Sequence, residues 1–198
     1  MIKNGFNYYN EEFQGIKSGI KFSNISPSTE ESIGEFPQSS FDEVNDACKV
    51  AKQAFEKWKL LSRFKRAEYL LSVSQIIERR KEELATAISL ETGKNYNESV
   101  AEVNEALHMA QYAFSTGRMP YGEAIASELP EKDAYMLRKP KGVVAIVAPF
   151  NFPFAIGGFW CAAPALVEGN TVILKPSEDV PWVGQITAEL YREAGFPP

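Results

Sequence analysis

Two stretches decide the fold: Gly142-Val143-Val144-Ala145-Ile146-Val147-Ala148-Pro149-Phe150-Asn151-Phe152-Pro153, and Pro164-Ala165-Leu166-Val167-Glu168-Gly169-Asn170-Thr171-Val172-Ile173-Leu174-Lys175-Pro176-Ser177-Glu178. Gly142 to Ala148 is a continuous apolar run, the pattern of a parallel strand covered on both faces. Thr171 to Leu174 reads as a second buried strand. Between them Phe154 to Val167 predicts a helix in which Gly157, Gly158, Ala162, Ala163 and Ala165 permit close approach. Val183 to Ala194 predicts another helix, stopped by Gly195. Strand, helix, strand, helix at this spacing is a βαβα unit, so the sheet should be parallel and the fold α/β.

In open parallel sheets a ligand lies beyond the carboxyl ends of the strands. Ala148 to Pro153 and Lys175 to Glu178 occupy those places. A Lys and a Glu three residues apart can grip vicinal hydroxyls, one donating and one accepting, as an acid at a strand end does for a ribose. An ordinary solvated strand end fits the same residues. Asn151, between two aromatics and near two prolines, offers an amide NH₂ that could donate to a developing oxyanion without titrating. A turn Asn bonding its own backbone is the competing reading. No GxGxxG is present to bind a pyrophosphate.

Upstream, Phe6 to Tyr9 and Ile20 to Ile25 read as short strands, and Ser26-Pro27-Ser28-Thr29 as a turn. Ser40-Phe41-Asp42-Glu43 has capping-box spacing and opens a helix over about 40–58. A second helix is expected over about 62–91, with Phe64, Ala67, Leu70, Leu71, Ile77, Leu84 and Ile88 on one face. Arg79-Arg80-Lys81-Glu82-Glu83 forms a solvated patch of mixed sign within it. Gly93 suits its left-handed cap. A third helix covers about 95–116, with Val100, Val103, Leu107, Ala110 and Phe114 at spacings of three and four. Gly117 to Lys132 reads as a connector, and Ala134 to Arg138 as a strand. Two regions result, a helical one with short strands over 1–139 and a βαβα unit over 140–198.

Composition narrows the partners. The 198 residues are 44% hydrophobic and 24% charged, with a formal charge of −5 and no long basic run. This argues against nucleic acid or an anionic membrane. No run approaches the roughly 18 apolar residues of a membrane span, and no signal-peptide core follows Met1-Ile2, so the cytoplasm is expected. Two cysteines make no disulfide framework, and the single His108 cannot build a His-rich metal site, so no metal is expected. Cys48 and Cys161 both read as core packing.

The two quoted stretches, in this order, resemble the NAD(P)-dependent aldehyde dehydrogenase superfamily. Weaker agreement extends upstream through Asn24-Ile25-Ser26-Pro27, Ala54-Phe55, Trp58, Arg66, Leu90-Glu91-Thr92-Gly93-Lys94 and Glu102-Val103. The resemblance implies the N-terminal part of that fold: an incomplete Rossmann-like sheet preceded by a helical segment and short strands of the kind used in oligomerisation. It implies a mechanism in which a Cys thiolate attacks an aldehyde, hydride passes to a nicotinamide and water cleaves the thioester. By motif match Asn151 is the oxyanion-hole amide. Lys175, Ser177 and Glu178 flank the adenosine ribose, and Ala148, Pro149 and Phe150 form the backbone wall beside the cofactor. Phe152, Ala155 and Phe159 match positions around the substrate tunnel.

Glu178 would repel a 2′-phosphate, which favours NAD; Lys175 and Ser177 leave NADP open. The family's nucleophilic Cys and general-base Glu have no counterpart among these residues, and Cys161 does not substitute, so the chain alone is expected to turn over no aldehyde. The resemblance implies an aldehyde or semialdehyde substrate, with glutamate semialdehyde (pyrroline-5-carboxylate) as the alternative. It also implies a homo-oligomer or a complementing C-terminal polypeptide. The other readings are the N-terminal subunit of a split enzyme and a non-catalytic remnant with a binding role.

Overall fold

The computed structural model describes residues 3–15, 17 and 19–197; Met1, Ile2, Ile16, Ser18 and Pro198 of the ranges above lie outside them. Five short strands come first: β1 (Lys3–Asn4), β2 (Asn7–Tyr9), β3 (Glu12–Gln14), β4 (Lys21–Ile25) and β5 (Ser32–Pro37). β5 sits between β1, parallel to it, and β4, antiparallel; β2 and β3 form a separate hairpin. β1, β3 and β5 fall outside the two short strands named from sequence.

Four helices follow: α1 (Phe41–Trp58), α2 (Arg63–Arg79), α3 (Lys81–Thr92) and α4 (Tyr96–Thr116). The capping box of α1 is complete, because Ser40 Oγ accepts from the Glu43 amide and Glu43 accepts from the Ser40 amide at 2.8 Å. Glu43 also accepts from the Lys17 amide, which ties α1 to the N-terminal strands.

The single helix expected over 62–91 is instead two. The backbone leaves helical geometry at Arg80 (φ −100°, ψ 14°), whose guanidinium pairs with Glu83 on α3 and with Glu193 from the far end of the chain. Gly93 closes α3 in the left-handed conformation (φ 73°), and the Asn95 side chain caps α4 by accepting from the Glu98 amide. The connector holds a strand of its own, β6 (Gly122–Ile125), antiparallel to β7 (Ala134–Leu137).

β8 (Val143–Val147) and β9 (Thr171–Lys175) pair in parallel, Val143 opposite Thr171 and Val147 opposite Lys175. Their crossover begins as a π-helical segment, Pro153–Cys161, and continues as α5 (Ala162–Val167); α6 (Pro181–Glu193) follows β9. Gly157 lets the segment lie against the sheet, where a Cβ would fall 2.7 Å from that of Ala148 and 3.0 Å from Leu174 Cδ1. Burial of β8 alternates: Ile146 is buried while Val143 and Val147 are 38% and 76% exposed, so the expectation of cover on both faces fails for this strand.

The core joins the two halves. Val73, Ile77, Leu84, Ile88, Val103 and Leu107 from α2 to α4 pack with Phe154 and Phe159 of the π-helical segment and with Val183 and Leu190 of α6. Each such side chain taken from water contributes about 1.5–3 kcal/mol. Cys48 and Cys161 are exposed, contrary to the core packing expected. Cys48 lies outside the stripe that buries Trp58, and Cys161 falls where the π-helical segment gives way to α5. No helix among the described residues is long and apolar enough to cross a membrane.

Candidate functional site

The carboxyl ends of β8 and β9 lie side by side, because the Ala148 amide continues the ladder onto the Lys175 carbonyl at 3.0 Å. Two loops therefore leave the sheet next to each other. The first carries Pro149, Phe150, Asn151 and Phe152; Phe150, Asn151 and Phe152 are all exposed. The second carries Lys175, Ser177 and Glu178. Lys175 Nζ donates to Glu178 Oε2 at 2.9 Å, and both side chains stand in solvent, 58% and 72% exposed. The Glu178 carboxyl is held below the usual carboxylate range, first by its own backbone N–H and then by Lys175. Ser177 is nearly buried and accepts from the Asp179 amide, which shapes the turn more than it offers a ligand contact.

Ala155 and Phe159 are not exposed beside these loops. Both are buried to within 1% of completely, Phe159 against the rings of Phe154 and Tyr191 at 5.0 and 5.7 Å. Neither presents surface to an opening in the described chain, so they support the segment that begins beside Asn151. Tyr191, whose hydroxyl donates to the Gly158 carbonyl, has its pKa pushed up by burial.

Three residues absent from the expected site build it. Both helical segments that follow the loops begin with a proline, which has no N–H to leave unsatisfied at the first helical position. The next two amides of each are taken by a buried glutamate from the helical region. Phe154 and Ala155 donate to Glu102 Oε1 of α4 at 2.8 and 3.2 Å. Trp182 and Val183 donate to the two oxygens of Glu91 of α3, both at 2.7 Å. An acid at a helix N-terminus satisfies orphan donors and complements the dipole there. Asn24 of β4 also donates to Glu91, yet burial prevails and pushes that carboxyl up to about 7. Lys94 completes the set, donating to Glu102 Oε2 at 2.6 Å and to the Asn151 carbonyl at 2.7 Å. An acid inside an apolar helical stripe was the available signal, since Glu102 falls among Ser99, Val103 and Ala106 on the buried face of α4.

The chain matches the aldehyde dehydrogenase family over residues 16–198. It belongs to the aldehyde dehydrogenase family. Malonate-semialdehyde dehydrogenase of Listeria innocua is 38% identical to this aldehyde dehydrogenase chain over 191 residues, covering 96% of it and 39% of the relative. Among solved structures, lactaldehyde dehydrogenase of Escherichia coli superimposes with a TM-score of 0.93 at 28% identity, over 100% of this chain and 41% of that one. An NAD-dependent benzaldehyde dehydrogenase of Corynebacterium glutamicum gives 0.86 at 29% identity, over 94% and 40%. The chain thus spans about two-fifths of the length of the curated relatives it matches, and its fold is the N-terminal part of theirs.

Proposed function

We propose that these residues form the oxyanion-donor and ribose-binding side of a site that oxidises an aldehyde, foremost a semialdehyde, to a carboxylic acid with NAD. The observation that carries this reading is the adjacency of the Asn151 and Lys175–Glu178 loops at the paired ends of β8 and β9. When a nucleophile adds to an aldehyde, its carbonyl oxygen gains negative charge. A neutral amide donor such as Asn151 Nδ2 favours that state by about 3 kcal/mol and does not titrate.

NAD supplies the hydride acceptor when bound, and the residues present fit it. Lys175 and Glu178 stand exposed at a strand end, with a donor and an acceptor paired 2.9 Å apart and free to re-pair with vicinal hydroxyls. Ala148, Pro149 and Phe150 form the wall beside it, and Phe152 flanks the aldehyde. We assign the nucleophilic thiolate and the general base to polypeptide outside these residues. Exposed Cys161 stands at the opposite end of the π-helical segment from Asn151, so it is not the nucleophile. The names of the relatives support a semialdehyde, and 1–139 and 140–198 then divide as helical support and cofactor-binding unit.

Reconstitution tests this. The chain is joined to, or mixed with, the C-terminal three-fifths of the Listeria innocua relative, and NADH formation from malonate semialdehyde is followed. Asn151→Ala should lower kcat by about 10²–10³-fold. A rate unchanged by that substitution overturns the reading, and turnover by the chain alone overturns the assignment of the nucleophile.

A further inference from the structure

We propose that Lys94 and Glu102 are positioning residues for the Asn151 amide, an inference that rests on the oxyanion reading above. The Asn151 side chain has no hydrogen-bond partner among the described residues, so nothing in its own contacts fixes where its NH₂ points. Its aim must come from the backbone on either side.

On the C-terminal side, Pro153 has no N–H, and the Ile156 amide returns to the Phe152 carbonyl at 3.1 Å. The two amides left, Phe154 and Ala155, converge on one oxygen of Glu102, a side chain with no solvent exposure. That carboxylate sets where the π-helical segment starts. At Asn151 itself the carbonyl accepts from Lys94 Nζ at 2.7 Å, and the same ammonium lies 4.5 Å from the centroid of the Phe152 ring. Lys94 and Glu102 are joined at 2.6 Å, so one largely buried ion pair grips residues 151, 152, 154 and 155 together. The left-handed Gly93 delivers Lys94 into this place at the turn between α3 and α4.

Such a pair is costly to break, because removing either member leaves the other buried without its counter-charge. Neither touches a reacting atom. Their contribution is that the amide is held in place before charge develops, where a displacement of about 1 Å from productive geometry can lower the rate about 10²-fold.

The test is a cycle in the reconstituted enzyme with Lys94→Met, Asn151→Ala and both together. Lys94→Met should lower kcat about 10- to 100-fold with the KM for NAD changed less than about 2-fold, since its ammonium holds the Asn151 loop, while the start of α6 beyond the ribose loop is held by Glu91. In the Asn151→Ala background the same change should add less than about 2-fold. Lys94→Arg, which keeps charge and donors, should recover part of the loss. If Asn151→Ala lowers kcat while Lys94→Met leaves it intact, or lowers it equally in both backgrounds, the positioning role is overturned and the oxyanion reading stands. If Asn151→Ala itself is without effect, the oxyanion reading falls and takes this role with it. Glu102→Gln should follow Lys94→Met; should it fail to fold, Lys94→Met, which retains an unbranched stem, decides alone.

Discussion

Glu91→Gln separates burial from hydrogen bonding as the force that sets an internal acid. The carboxyl is 2% exposed and accepts from the Trp182 and Val183 amides and from Asn24, and burial leaves it titrating near 7 against an ordinary 4.5. Below pH 4.5 it is protonated in the folded and unfolded chain alike. Between 4.5 and about 7 the folded protein keeps a proton that the unfolded chain has released, so stability falls as pH rises, and above about 7 the loss is complete. At ~1.4 kcal/mol for each pH unit between the two values, the loss amounts to about 3 kcal/mol. Gln removes the titration. It also replaces one acceptor with a donor facing α6, which lowers stability by about 1–3 kcal/mol at every pH. The variant should therefore gain about 3 kcal/mol relative to wild type between pH 4.5 and 8, read from urea unfolding at matched ionic strength. Parallel pH profiles would show that Glu91 does not titrate in this range. A wild type that gains on the variant as pH rises would show that the amides and the α6 dipole outweigh burial, and would refute the reasoning.

Gly157→Ala should destabilise the fold by about 1–3 kcal/mol, because its Cβ would meet the Ala148 Cβ at 2.7 Å, with rigid sheet behind it. A urea midpoint equal to wild type would contradict that packing. Glu178→Gln should narrow the preference of the reconstituted enzyme for NAD over NADP, since it removes the charge that repels a 2′-phosphate. Discrimination unchanged in parallel titrations of the two cofactors would take Glu178 out of the argument.

How much was legible in the sequence depended on whether the signal was local. Ser40 with Glu43, and Gly93, each announce a helix boundary through atoms a few residues apart, and the structure places both as read. The apolar runs of β8 and β9 were equally plain. The break at Arg80 was hidden because no Gly or Pro marks it; it is stabilised by Glu193, 113 residues away. β5 was missed because Gly34 and Pro37 dilute a strand pattern that its neighbours β1 and β4 complete. Glu91 and Glu102 were quoted only as parts of motifs, since the amides they receive lie 91–92 and 52–53 residues downstream. Cys48 and Cys161 were misplaced because a small apolar residue at the border of a helical stripe does not report the side on which it falls.

The two proline-first helices also bear on the order in which the chain folds. Contacts of α3 with α4 close short loops, whereas α2 against α4 and the Glu102 cap close loops of roughly 50 residues and the Glu91 cap one of roughly 90, which carry a larger entropic cost. Both loops at the end of the sheet lead into helical segments whose first amides are held by side chains of the helical layer. The loops at the carboxyl ends of β8 and β9 are thus tied down from the helical layer, and substitutions at Glu91 or Glu102 should speed unfolding more than they slow folding, as read from the two limbs of a urea chevron.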